Sequence, residues 1–209
     1  MSDLHLGSQF SMHRQFRTFL RALPPGVTLV MNGDTVDAER KNIPPEHREL
    51  LSELCAESFR RRMVWTYGNH DLNFVPGDPH RIELAPAWSD GTIYFAHGDR
   101  FMPAYGLYRV FHRLVRIYRA CGMRNSLATI RLAKRIPLLL RILKNGSVAN
   151  AVQFAEKNGY KTVVCGHLHA TIDVTVRGIR YINAGAWTDW PASYLAMDDG
   201  KIDLRQASA

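Results

Sequence analysis

Five short stretches of this chain gather carboxylate, amide and imidazole side chains, and the last four lie just beyond apolar runs. They are residues 2–5 (SDLH), 32–37 (NGDTVD), 67–71 (YGNHD), 95–99 (FAHGD) and 165–169 (CGHLH). The last four contain a glycine, which permits a tight bend after a strand. Two divalent cations a few ångström apart need about eight ligands, one of them shared. The seven candidates are Asp3, His5, Asp34, Asn69, His97, His167 and His169. Oxygen donors mixed with neutral imidazoles suit Mn²⁺, Fe²⁺ or Zn²⁺ better than Mg²⁺ alone. In DLH and HLH, alternate residues reach the same side if the backbone is locally extended. Each residue taken singly has an ordinary reading as a turn former, a cap or a surface group. Their joint occurrence is what points to a two-metal hydrolase.

These loops require strands that end together. The central one is residues 27–31 (VTLVM), running into Gly33 and Asp34. Further strands are expected at 62–67, 92–99 and 161–165, each feeding a ligand loop, and short strands with hairpin signals follow at Arg177–Gly178 and Asp199–Gly200. Helical periodicity covers 11–23, with Ser11 as its cap, and a second helix runs from Pro44 and Pro45 to about Arg61. A helix is also expected from just after Gly146 to Asn158–Gly159. Alternating helices and strands give an α/β fold, with antiparallel sheet in the last third. Only Met1 and Ser2 precede Asp3. The expectation is therefore a start chosen downstream of the true one, or a sheet edge that is missing.

The 209 residues fit one domain, and 46% apolar content supplies a core. Cys55, Cys121 and Cys165 show no ligand spacing and suit a reducing, cytoplasmic setting. The net charge of +8 is concentrated. Residues 100–144 hold nine Arg and two Lys with no Asp or Glu, whereas the remainder sums to −3. Two amphipathic helices are expected there, about 107–121 and 127–143, with a kink at Pro137. They form a basic helical-hairpin insert that caps the site. Such an insert suits a phosphate-rich substrate or an anionic membrane surface.

In the set DLH, GDTVD, GNHD, HGD and GHLH, the chain resembles the calcineurin-like metallophosphoesterases over nearly its full length. The resemblance implies two packed, mostly mixed β-sheets flanked by helices. It also implies that Asp3, His5, Asp34 and His169 hold one metal, while Asp34, Asn69, His97 and His167 hold the other, with Asp34 bridging. His70 becomes a catalytic group that meets a phosphate oxygen or protonates the leaving group. Asp71 would orient its ring, Asp37 would support the ligands from behind, and Asp99 is either a support or a turn residue. In-line attack by metal-activated water needs no Ser or Cys nucleophile.

A narrower likeness is to UDP-2,3-diacylglucosamine hydrolases, carried by SDLHLGS, the basic insert after HGD and the segment YINAGAWTDW. It implies release of UMP from a lipid-linked nucleotide sugar, usually with Mn²⁺, by a peripheral inner-membrane protein. The stricter members carry Arg where His70 stands and often Pro where Ala170 and Thr171 stand. A general phosphodiesterase or nucleotide pyrophosphatase acting on a soluble substrate is the alternative. A nuclease gains from the basic insert but lacks interleaved aromatics, and a metal-free binding protein would require a broken ligand set.

Overall fold

Apolar runs of four or so residues become strands whose carboxyl ends lie side by side. The structure is a computed structural model describing residues 1–38, 42–77, 79–103 and 137–207, without the side chains of 137–139. β1 (Leu29–Asn32) pairs in parallel with β2 (Met63–Thr66), and β2 pairs with β3 (Glu83–Ala85). A second sheet contains β4 (Trp88–Asp90), β5 (Ile93–Phe95), β6 (Thr162–Cys165), β7 (Thr171–Val176) and β8 (Ile179–Ala184). Its order is β4-β5-β6-β8-β7, with β5, β6 and β8 parallel and both edge strands antiparallel. β9 (Ser193–Asp198) and β10 (Lys201–Gln206) form a separate antiparallel hairpin. Both expected hairpin turns are present. Arg177 and Gly178 have φ of 52° and 77°, and Asp199 and Gly200 have 44° and 77°, the mirror-image bend that matches strand twist. The short strands β3 and β4 were not foreseen, because three residues are too few to show a period.

Helices cover both sheets. α1 (His13–Ala22) and α2 (Pro45–Glu57) bury Phe16, Leu20, Leu50 and Leu54 against Leu29, Met31, Met63 and Trp65. Each such aliphatic side chain contributes roughly 1.5–3 kcal/mol on burial. Ser11 does not cap α1. The cap position is Met12, with no side-chain bond, and the Ser11 hydroxyl is buried without a partner. α3 (Pro137–Asn158) packs Ala151, Val152 and Ala155 against Tyr94, Val163 and Tyr181. It runs unbroken through Gly146, where sequence reading placed a boundary. Gly146 stands there for space, since a Cβ would lie 2.8 Å from the Pro103 ring. The architecture is thus mixed sheets flanked by helices, as expected. Of the insert, residues 104–136 lie outside the described residues, and so does the region of the expected kink before Pro137.

Residues 1–6 run alongside β1 and its loop without becoming a regular strand. The Met1 ammonium donates to the Val30 carbonyl (3.1 Å), and the Asn32 amide donates to the Met1 carbonyl (2.8 Å). The amides of Asp3, His5 and Leu6 then donate to Gly33, Asp34 and Thr35 at 3.0, 2.9 and 2.8 Å. Leu4 and Leu6 are fully buried on the core side. This ladder fixes the first ligand stretch against the central one.

Asn32 ties the two sheets together. Its amide donates to the carbonyls of Ala96 (2.9 Å) and Val164 (3.1 Å), beside β5 and in β6, while its oxygen accepts from Thr66 Oγ1 (2.8 Å). Replacing it takes a donor from both carbonyls, of which Val164 keeps the Ala96 amide (3.1 Å), and strands the Thr66 hydroxyl, at about 1–3 kcal/mol for each unmet group. Asn32→Ala is therefore expected to lower unfolding stability by about 2–4 kcal/mol in urea titration. Thr66→Val, which removes one bond and retains shape, should cost about 1 kcal/mol.

Candidate metal centre

Parallel strands deliver their loops to one edge, and all five ligand stretches meet there. Asp34 follows β1, His70 and Asp71 follow β2, His97 follows β5, and His167 and His169 follow β6. Among the described residues, two of the trios with ligand atoms within 4.8 Å of one another consist wholly of expected ligands, Asp3, His5 and His169, and Asp34, His97 and His167, and a third, His5, Asp34 and His70, joins them. Asp34 lies between them. Its Oδ2 is 3.1 Å from His97 Nε2 and 3.8 Å from His5 Nε2. His169 Nε2 is 3.1 Å from Asp3 Oδ1. Across the cluster His5 Nε2 faces His169 Nε2 at 3.2 Å, and His167 Nδ1 faces His97 Nε2 at 3.2 Å. Asn69 is exposed on the turn between Gly68 and His70.

The backbone that aims these groups differs from the extended form expected. Asp3, His5, Asp34, His167 and His169 have φ of 57°, 51°, 52°, 67° and 48°. Left-handed backbone at a residue with a Cβ costs on the order of 1–2 kcal/mol. Leu4 and Leu168 between the paired ligands still point into the core. Alternation survives, but through left-handed turns that a strand could not provide. Gly33 (φ 83°) completes the bend, and a Cβ there would collide with the His97 ring.

Supporting groups fix the ligand rings. Asp37 Oδ1 takes His5 Nδ1 at 2.7 Å and His70 Nδ1 at 3.2 Å, and His169 Nδ1 meets Thr188 Oγ1 at 3.2 Å. Holding Nδ1 turns Nε2 of His5 and His169 toward the cluster. The ring of His70 is thus held by Asp37, whereas sequence reasoning gave that task to Asp71. Asp71 is fully buried and accepts from the amides of Gly68 (2.6 Å), Thr35 (2.7 Å) and Asp34 (3.3 Å), and from Trp65 Nε1 (2.9 Å). It knots two ligand loops together. The His70 amide in turn donates to Asp34 Oδ1 (2.8 Å). Sequence reading passed over Thr188, Asn32 and Asn183, which bonds the Gly166 carbonyl and the Gly185 amide (3.1 Å). Asn32 and Asn183 do carry a signal: each is the polar residue at the end of an apolar strand.

Charge within the cluster is consistent with cation binding. Burial would raise the Asp3 carboxyl, yet His169 and His97 hold it down to about 2, and Asp34 lies well below its ordinary value for similar reasons. Burial would lower His97, but Asp34 and Asp3 raise it to about 10. His167 is lowered to about 4 by burial and by His97, and burial also lowers His169. Converging carboxylates and imidazole nitrogens, buried and fixed from behind, form a donor set that fits two borderline divalent cations. Cys165 takes no part, because burial pushes its thiol up to about 12.

A family model described as calcineurin-like phosphoesterase matches residues 1–171. No curated protein matches the sequence. Among solved structures, the chain is similar to Vacuolar Protein Sorting 29 from Cryptosporidium parvum. Identity is 14%, coverage 99% of this chain and 93% of that one, and TM-score 0.49. The phosphoesterase YfcE from E. coli is similar at 16% identity, with coverage 100% and 97% and TM-score 0.47. The phosphopantetheinyl hydrolase PptH from Mycobacterium tuberculosis is similar at 16% identity, with coverage 91% and 89% and TM-score 0.44.

Coordination needs a neutral ring, so the proton that His97 holds in the metal-free protein must leave on loading. Mn²⁺ binding is expected to release about one proton at neutral pH and to tighten as pH rises. Calorimetry in two buffers of different ionisation heat measures this. Identical heats would mean that His97 is already neutral.

Proposed function

The chain belongs to the calcineurin-like phosphoesterase family, and from that premise we propose that it is a two-metal hydrolase of phosphoesters or pyrophosphates. We assign it a lipid-linked nucleotide sugar of the UDP-2,3-diacylglucosamine type, cleaved to release UMP. The observation that carries the reading is Asp34 placed between two ligand trios, 3.1 Å from His97 and 3.8 Å from His5. Asp3, His5 and His169 would hold one ion, and His97 and His167 the other, with Asp34 shared and Asn69 turning in from its exposed position. When bound, the ions, Mn²⁺ in the first instance, supply Lewis-acid polarisation of the phosphoryl group and of water.

The protein's own groups do the rest. Asp37 fixes His70 through Nδ1, leaving Nε2 as the ring's free nitrogen. Burial would lower His70, but the Asp37 bond and the Asp34 charge raise it above its ordinary value. It therefore keeps a proton near neutrality for a phosphoryl oxygen or the leaving group. Asp71 and Asn32 hold the loops still so that the donor set is formed in advance.

Three features support an amphiphilic substrate. Leu72 and Val75, just beyond His70, are 67% and 60% exposed, and Trp190, just beyond Thr188, is 41% exposed. The stretch 100–144 carries +11 in sequence, enough to attract phosphate or an anionic membrane surface. No described helix is long and apolar enough to cross a membrane, which leaves peripheral attachment as the mode we propose.

Detergent-solubilised UDP-diacylglucosamine with Mn²⁺ is expected to yield UMP, with bis-p-nitrophenyl phosphate as the soluble diester run in parallel. Asp34→Ala should abolish both activities. Turnover of the model diester alone would move the substrate to a soluble phosphodiester and keep the metal chemistry. His70→Gln is expected to lower kcat by about 10²–10⁴-fold. Because the protonated ring is the active form, wild-type kcat should fall as pH rises and the ring loses its proton. That alkaline limb should vanish in the variant.

A further inference from the structure

The first ligand stretch leaves its ladder through a buried turn. The Ser8 amide donates to the His5 carbonyl (2.9 Å), which closes residues 5–8, and Gly7 in the third position has φ of 104°. A positive φ there belongs to a type II turn and calls for glycine. The carbonyl and amide of the central peptide, between Leu6 and Gly7, point in opposite directions. Residues 1–8 are all buried, so each of these groups needs a partner. The Leu6 carbonyl accepts from the Asp37 amide (2.8 Å), and the Gly7 amide donates to His47 Nδ1 (2.7 Å). The turn is thus held from both sides. Because it closes on the His5 carbonyl, holding it also holds the backbone from which the His5 ring is aimed. That backbone is left-handed, with φ of 51°, and such strain persists only where the surroundings enforce it.

His47 comes from the first turn of α2 and is 4% exposed. Its ring packs on that of His13 at the start of α1, with centroids 4.2 Å apart. Burial and His13 push it down to about 4, so it is neutral near pH 7. A neutral ring that accepts through Nδ1 carries its proton on Nε2. His13 and Glu46 offer ligand atoms within 4.8 Å of His47, but coordination would need a lone pair where that proton sits. The hydrogen bond assigns His47 to the backbone of the turn and not to an ion.

We propose that His47 is a positioning residue for the metal centre: by holding the Gly7 amide it fixes the His5 ligand, and with it the affinity of the ion given to Asp3, His5 and His169. This rests on the two-metal reading of the cluster. His47 acts through Gly7, one step behind the side chains that hold ligand rings directly, and losses of such supports weaken metal binding about 10–100-fold.

Two variants test it. His47→Asn keeps an acceptor near the place of Nδ1, and His47→Leu fills the space without one. In the metal-free protein, His47→Leu is expected to speed hydrogen exchange of the Gly7 amide about tenfold or more, and His47→Asn to retain protection. In calorimetric titration with Mn²⁺, His47→Leu should bind one of two ions about 10–100-fold more weakly and the other nearly unchanged. His47→Asn should stay close to wild type for both. Equal weakening of both ions, or an Asn variant as weak as the Leu variant, would reduce His47 to a general packing role. Nitrogen NMR of the wild-type ring needs no variant: Nδ1 is expected without a proton, and a proton there would overturn the proposal. Two ions bound alike by wild type and His47→Leu would sink the proposal alone. Fewer than two ions in the wild type would sink the two-metal reading and the proposal with it.

Discussion

Two carboxylates taken fully out of water in a small space must be met by positive charge or by donors, and this requirement shapes the loop end of the molecule. Asp3 and Asp34 are 0% and 2% exposed. Around them stand four imidazoles, two of them held from behind by Asp37 and Thr188. Protonated histidine supplies part of the compensation in the protein as described, and divalent cations would supply more. A buried charge left without a partner costs several kcal/mol, so the arrangement has to be built as a unit. That is why so much of the rigid scaffold, from the Asn32 staple to the Asp71 knot, lies directly beneath it.

Geometry adds a second requirement. Five of the seven residues foreseen as ligands adopt left-handed backbone, which few side chains tolerate. Such strain persists only where the surroundings over-determine it. Here the over-determination is visible in the amides of Asp3, His5, Thr35, Gly68 and His70, each fixed by a carbonyl or a carboxylate of a neighbouring ligand stretch or its loop. The loops therefore hold one another, rather than each being folded by its own sequence.

The basic stretch between β5 and α3 stands apart from this rigid frame in composition. It supplies positive charge without Asp or Glu, whereas the metal-ligand loops are acidic and imidazole-rich. Leu72 and Val75, which follow His70 in the chain, and Trp190, which follows Thr188, are exposed apolar side chains.

The sequence by itself determined residue type, order and local punctuation. The strands from β1 through β10, save β3 and β4, and the two hairpin turns follow from apolar runs and Gly-bearing bends, because those signals act over a few residues. The family and the ligand candidates were legible for the same reason: the motifs are short and contiguous. Tertiary structure decided what depends on partners far along the chain. It gave Asp37 rather than Asp71 to His70, since the pairing needs β1 and β2 side by side and cannot be read from the adjacency of His70 and Asp71. It carried α3 through Gly146, a glycine that is there because Pro103 takes the space a side chain would need. It also replaced extended backbone by left-handed turns at the ligands, a choice enforced by long-range hydrogen bonds that no local propensity encodes.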